Sequence, residues 1–419
     1  MSLISFARHV LWFWRIPDSV IDRINPWCQP FVIGASVITG TVVTFWIGGT
    51  MILCLARTLS GAMALTRRRP IWVLSAIYAL WFATHLLFGL AHSTSAETWS
   101  EIVETIGFLG IPFLYAGLAL THPRILAPPT ELAASMGAIV AFMVAGYQML
   151  NGWPRAEGFI GNPGPFALLT LLLYGYCLVA FVRNSGTFKF IAFTGIIAAF
   201  GCVVMSGMRG LWPGLVILPV AVGLIYGSTI RQRMSRNSIG LAIVAIAALS
   251  LAAYPIVSER TGILLTEVST LNDRLDLSRS LDQHLALWNA GYRLISEAPL
   301  AGHGLDVEML MREETMRLYG EAFSLSHFHN AFLDIGVRAG MAGVVLLVAL
   351  IIAPLIMTAR HRSSEFGRFG FAMMSVLMIS YVLSGATGLM LGHDVQGIVF
   401  VFSVTYWCVF AFEDDVDNV

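Results

Sequence analysis

Apolar runs of roughly 20 residues recur along almost the whole chain, separated by short polar loops. The clear runs are 71–90, 102–120, 132–150, 165–183, 188–206, 211–230, 238–258, 340–358, 369–387 and 395–412. Each is long enough to cross about 30 Å of hydrocarbon as a helix. They are continuous rather than alternating, which fits helices better than a barrel, and a helix satisfies its own backbone polar groups in lipid. The segment 31–65 reads as two short spans broken near Gly48 and Gly49, giving about twelve helices; read as one span, it gives eleven. One stretch breaks the pattern: residues 259–328 carry charge after charge and end in His327, Phe328, His329 and Asn330, where the chain turns apolar again. The pattern therefore predicts an all-α integral membrane protein, a polytopic bundle with one large polar loop. Its parts are an N-terminal segment (1–30), helices with short loops (31–258), the loop domain (259–328), C-terminal helices (329–412) and a tail (413–419).

Composition agrees with lipid as the solvent. The 419 residues are 57% hydrophobic and only 12% charged, whereas soluble domains run nearer a quarter charged. Net charge is zero, so no basic field points to nucleic acid. The five cysteines lie in or beside apolar segments with no metal or disulfide spacing and read as packing residues. No cleavable signal is evident, because residues 1–30 lack a continuous apolar stretch.

Arginine sets the expected topology. Arg67 to Arg69, Arg124, Arg183 with Lys189, the run Arg231, Arg233 and Arg236, and Arg360, Arg362 and Arg368 fall on every second loop. The positive-inside rule makes those loops cytoplasmic. The polar loop domain then faces outward, into the periplasm of a Gram-negative inner membrane. Gly336, Gly340 and Gly343 form a small-residue face suited to close helix contact.

Four clusters on that outer face carry candidate chemistry, since interfacial charges are costly unless they serve a purpose. The first runs from Arg155 through Gly158 to Asn162 and Pro163; a plain hairpin with a solvated arginine is the alternative. The second is Ser206, Gly207, Met208, Arg209 and Gly210, which holds Arg209 at the surface between two apolar runs; the alternative is snorkelling. The third is a helix over 280–297 with Leu281, Leu285, Trp288, Tyr292 and Ile295 on one side, His284 one turn before Trp288, and Pro299, Gly302, His303 and Gly304 at its end. Arg274 and Arg279 precede it. The fourth is His327 to Asn330, followed by Phe332, Leu333 and Asp334. Histidine is the side chain best poised for proton transfer near neutral pH, and Asn330 could orient a ring or bind a sugar hydroxyl. Paired histidines also bind metals, but no carboxylate or cysteine stands at a standard ligand spacing beside them. His393 with Asp394 is a further outer-loop pair, and Asp415 to Asp417 reads as a solvated tail. Nucleotide-binding, serine-hydrolase and zinc-protease motifs are missing.

Together the segments Arg155–Pro163, Ser206–Gly210, Trp288–Gly304 and His327–Leu333, with Gly340 and Gly343, resemble the O-antigen ligase and O-antigen polymerase superfamily of bacterial polytopic glycosyltransferases. The resemblance implies a C-type glycosyltransferase that uses an undecaprenyl-diphosphate-linked glycan. In the ligases the glycan passes to a sugar of the lipid A core, with inversion and without metal or other cofactor. By the same resemblance His329 is the proposed base and Arg209 lies near the diphosphate, with Arg155 and Arg279 as further diphosphate ligands. His284, Trp288, His303, His327 and Asn330 are supporting or substrate-binding candidates. Similar sequences often place arginine four residues before the loop tryptophan; here His284 stands there. Either Arg279 or Arg274 serves instead, or the donor is held by fewer cations. The same donor chemistry fits a polymerase for O-antigen or exopolysaccharide, or a protein oligosaccharyltransferase. A polysaccharide transporter is the reading from another class, and would call for broken or charged helices at the bilayer midplane.

Overall fold

The computed structural model describes residues 16–92, 96–233, 280–323 and 327–413, with Ser258, Gly262 and Leu325. The expected span at 238–258 apart from Ser258, and Arg274, Arg279 and Asp415 to Asp417, lie outside the described residues. Among the described residues every regular element is helical, and nine helices are long and apolar enough to cross a membrane. The protein is an all-α, multi-pass membrane protein.

In chain order the helices are α1 (Asp18–Thr39), α2 (Val42–Leu59), α3 (Arg69–His92), α4 (Ala96–Thr105), α5 (Ile111–Leu118), α6 (Pro123–Leu150), α7 (Pro163–Arg183) and α8 (Gly186–Met205). They continue as α9 (Gly214–Ile225), α10 (Gly227–Arg233), α11 (Ser280–Glu297), α12 (Glu308–Tyr319), α13 (Ala331–Ala359), α14 (Glu365–Thr387) and α15 (Asp394–Ala411). The chain does break within 31–65, but at Gly40 and not at the Gly48–Gly49 pair. Gly40 adopts a φ of 54°, which ends α1. Gly48 and Gly49 lie inside α2, where an added Cβ would meet nothing within 4 Å, so they carry no turn and no tight contact. The run 102–120 is a composite of α4, a 3-10 turn and α5, and the run 211–230 divides at Tyr226 into α9 and α10.

Two helices form the centre. Of the spanning windows, Asp394–Ala411 is 94% buried and Pro163–Arg183 is 83% buried, against 28% for Arg69–Leu90, which therefore lies at the lipid-facing edge. Lipid exerts no hydrophobic pressure between helices, so packing and interhelical hydrogen bonds hold such a bundle. Trp407, Tyr406, Phe369 and Phe410 stack at its core. Their polar tips find partners: Trp407 Nε1 donates to Tyr176 Oη at 3.1 Å, and Tyr406 Oη pairs with Thr130 Oγ1 at 2.6 Å. At Gly34 and Gly137, α1 and α6 touch backbone to backbone; a Cβ on either would fall within 2.3 Å of the other helix's main chain.

Contacts sort the loops into two ends. At one end Arg57 pairs with Asp18, Arg183 Nε lies 3.1 Å from Glu131 Oε1, and the Arg183 guanidinium sits 4.1 Å over the Phe369 ring. Arg68 donates to the Phe412 carbonyl there. At the other, arginine-poor end gather the α6–α7 loop, the α8–α9 turn, α11 and α12, the α12–α13 loop and the α14–α15 loop.

α13 begins at Ala331, nine residues before the expected start of its span, because Asn330 caps it: Asn330 Oδ1 accepts from Phe332 N at 3.0 Å and Leu333 N at 3.1 Å. Gly340 then interrupts it with φ 61° and ψ −161°. The loop after α11 fills the break. His303 N donates to Val337 O at 2.8 Å, Gly304 N to Arg338 O at 2.9 Å, and Met341 N to Pro299 O at 2.8 Å. A Cβ at Gly340 would meet the Leu300 carbonyl carbon at 2.4 Å, and one at Gly336 would meet Ile295 Cδ1 at 2.7 Å. Gly336 and Gly340 of the expected small-residue face thus receive the loop domain, whereas the nearest atoms at Gly343 belong to α13 itself.

Candidate active site

The α12–α13 loop is built around one buried ring. Phe328 is fully buried among Leu287, Ala290 and Leu294 of α11, Met311 of α12, and Leu333 and Val337 of α13. This corrects the expected stripe on α11: the helix buries Leu287, Ala290 and Leu294, and Tyr292 is 67% exposed. The helix must pack on two neighbours at once, and that rotates its inner side away from the face that spacing alone selects. Trp288 and Ile295 remain half-buried at the edge of this cluster.

Pinning Phe328 inward and Asn330 to the helix cap leaves His329 on a sharp corner. Its backbone adopts φ 51°, and among the described residues it is the non-glycine residue with positive φ. A side chain with a Cβ rarely occupies that region without compensation nearby. The corner brings three imidazoles together. The His329 ring centroid lies 4.4 Å from His327 and 4.9 Å from His284 of α11. Burial, and after it His327 and His284, push the His329 imidazole down to about 4. Burial also lowers His327; Arg338 and His284 add to that, and Asp334 opposes it. His329 is therefore an uncharged proton acceptor at neutral pH. His303 does not join the cluster through its ring: Nε2 is engaged by the Leu294 carbonyl at 2.8 Å, which ties the loop to α11.

The arginine turns stand at the same end. In the α6–α7 loop the Gln148 side chain accepts from Glu157 N at 3.0 Å and Gly158 N at 3.1 Å and donates to Gly158 O at 2.8 Å. Ala156 N donates to Met205 O at 3.0 Å, which fixes Arg155 against the α8–α9 turn. The Arg155 side chain lies along Gly207, where an added Cβ would stand 3.6 Å from Arg155 Nε. The Arg209 turn rests on the end of α14, with Gly210 pressed against Thr387 so closely that a Cβ would fall 2.0 Å from Thr387 Oγ1. Asn330 Nδ2 reaches the next residue of the same helix end, Ala386 O, at 3.5 Å. The Arg209 turn and the His329 loop are thus seated on adjacent residues of α14. Among the described residues no group of three or more His, Cys, Asp or Glu side chains is placed to hold a metal ion.

Beneath the histidine corner is a network of which the sequence reading named only Asp334. Asp334 Oδ1 accepts from Phe328 N at 3.3 Å, and Asp334 Oδ2 accepts from Arg338 Nε at 2.8 Å. Arg338 Nη1 donates to Glu101 Oε2 at 2.6 Å and to Leu305 O at 2.7 Å. The available signal was an acid and a base four residues apart inside an apolar run, on one helix face. A cavity of about 120 Å³ opens beside it, lined by Trp81, His85, Glu101, Glu104, Asp334 and Arg338 among others. The Leu389–Gly392 stretch also borders the cavity, and His393 follows, with Nδ1 2.8 Å from Asp394 Oδ1.

Residues 194–348 match the family model described as O-Antigen ligase. The matched stretch includes the Arg209 turn, the histidine corner and the Asp334–Arg338 pair. An uncharacterized protein of Haemophilus influenzae (strain Rd) is similar: 23% identical over 287 residues, covering 66% of this chain and 70% of that protein.

Proposed function

We propose, from the O-antigen ligase and polymerase superfamily that the match supports, that this protein is an O-antigen ligase. In this reading it transfers an undecaprenyl-diphosphate-linked polysaccharide to a sugar hydroxyl of the lipid A core. The arginine-poor end faces the periplasm, and the bundle sits in the bacterial inner membrane. The observation that carries the reading is the uncharged, desolvated His329 imidazole, held at the same end as Arg155 and Arg209 on a shared helix seat.

A glycosyl diphosphate already contains a good leaving group. Three tasks remain: hold donor and acceptor in line, stabilise charge on the departing diphosphate, and take a proton from the acceptor hydroxyl. Arg209 and Arg155 suit the second task, because guanidinium forms paired, charge-assisted hydrogen bonds to phosphate oxygens. His329 suits the third: the acceptor oxygen attacks the anomeric carbon, its proton passes to the imidazole, and the bond to diphosphate breaks. General-base help of this kind contributes about 10²–10⁴-fold. His327, His284, Asn330 and Trp288 surround the acceptor side of this arrangement. Arg279 remains a further candidate diphosphate ligand. The step calls for no metal or nucleotide.

A polymerase uses the same donor and differs only in the acceptor, which is a second lipid-linked unit. Reconstitution decides between them. Purified protein in liposomes receives a defined lipid-linked glycan with either core lipid or a second lipid-linked unit. Product on core lipid is expected, insensitive to EDTA. Product only on the second unit makes the protein a polymerase, and transport without transfer removes the enzyme reading.

A further inference from the structure

We propose that Asp334, Arg338 and Glu101 form a clamp that positions the His329 imidazole for transfer, acting through the backbone of the loop and not by touching substrate. The proposal rests on the glycosyl-transfer reading above.

The His329 corner is a conformation that an L-residue rarely holds unaided, so its neighbours must impose it. On the far side Asn330 does so through the helix cap. On the near side the restraint is Phe328, whose ring is buried and whose N–H is accepted by Asp334. Asp334 lies one helical turn after Asn330, which places its carboxylate directly beneath the loop. Its second oxygen is taken by Arg338, and both residues are buried. The Arg338 guanidinium then reaches α4 through Glu101 and the α11–α12 loop through Leu305 O. One guanidinium therefore ties the histidine loop, α13, α4 and the loop domain into a single frame.

A purely stabilising ion pair would answer for the Arg338–Glu101 leg. It would not answer for Asp334 dividing its two oxygens between Arg338 and the N–H one residue before the imidazole. That division ties the direction of His329 to the pair. Misplacing a reacting group by about 1 Å costs on the order of 10²-fold in rate, so the clamp should act on kcat and leave donor affinity alone.

The test compares full-length Asp334→Ala, Asp334→Asn and Glu101→Gln with wild type in proteoliposomes, using the lipid-linked donor and the acceptor that the wild type accepts. Asp334→Ala loses both legs; kcat is expected to fall about 100-fold, with KM for donor within about threefold of wild type. Asp334→Asn keeps an oxygen for Phe328 N–H and should recover about tenfold of that loss. Glu101→Gln loosens the outer leg and should lower kcat less than Asp334→Ala does. A folded Asp334→Ala protein with wild-type kcat, or with its loss confined to KM, overturns the clamp. If Asp334→Ala fails to reach the membrane, Asp334→Asn decides: reduced kcat at unchanged KM supports the clamp, and wild-type kcat overturns it. A wild-type protein that transfers to neither acceptor fails the reaction reading, and the clamp falls with it; active wild type with unaffected variants fails the clamp alone.

Discussion

At the scale of residues, the site turns on one imidazole whose charge the fold suppresses. His329 falls from its ordinary 6.5 to about 4, through burial first and then its two imidazole neighbours. As pH drops, the unfolded chain takes up a proton at this position before the folded protein does. The stability tied to neutral His329 is complete above about 6.5 and is lost as pH falls toward 4. In the proposed role of base, the same shift keeps His329 unprotonated through the neutral range. The expected kcat/KM profile is flat from pH 7 to about pH 5, with an acid limb near 4. His284→Gln removes one of the repelling rings and should move that limb upward, and His329→Ala should lose about 10²–10⁴-fold in rate. A wild-type limb near 6.5 would contradict a desolvated base. The His329–Asn330 pair stood out in the sequence because it sits where the chain turns apolar again; that Asn330 caps a helix starting at Ala331 did not, since the span was expected from residue 340. His284 was a candidate through the resemblance, but its contact with the His329 ring was not readable: it is 45 positions before His329 (329 − 284), and hydropathy carries no information about which loop residues meet.

Among elements, the informative one is α13, a spanning helix broken at Gly340 and repaired by another segment. The loop from Pro299 to Gly304 supplies the donors and acceptor that the break leaves open. The break thus leaves these backbone groups with partners from another segment. Gly302 lies against this seam with φ 67°, and a Cβ there would stand 2.5 Å from the Arg338 carbonyl carbon. Gly302→Ala therefore meets both backbone strain and a clash with main chain that cannot swing aside. It should destabilise by about 2 kcal/mol or more, read as a lower unfolding midpoint in detergent. An unchanged midpoint would show that the loop can leave the seam without cost. From sequence, Gly302 and Gly304 read as helix-stop residues and Gly340 as a helix-contact residue. Both expectations miss their common purpose, because the seam joins segments that neither periodicity nor turn chemistry links.

For the whole molecule, the bundle seats the Arg209 turn and the His329 loop on the end of one helix, α14. In the proposed reading the enzyme works at one membrane face on a lipid-borne donor, and its acceptor decides its biology. Deleting the protein from its host separates the two readings. Loss of a ligase leaves lipid-linked polymer beside bare core, whereas loss of a polymerase leaves core with single repeats or no polymer. The first outcome is expected, and core carrying single repeats would make this chain a polymerase.

What sequence alone determined is what local physics encodes. Apolar length set lipid as the solvent, arginine spacing set an expected orientation, and the crowding of His, Arg and Gly at loop positions pointed to a candidate site. Tertiary structure decided the rest. It moved the first helix break to Gly40, turned α11 onto Leu287, Ala290 and Leu294, and drew His284, His327 and His329 into one cluster. It also joined Arg338 to Glu101 across 237 positions of chain. Such pairings follow from which surfaces pack in a bundle where lipid and protein interior are equally apolar, and no window of sequence contains both partners.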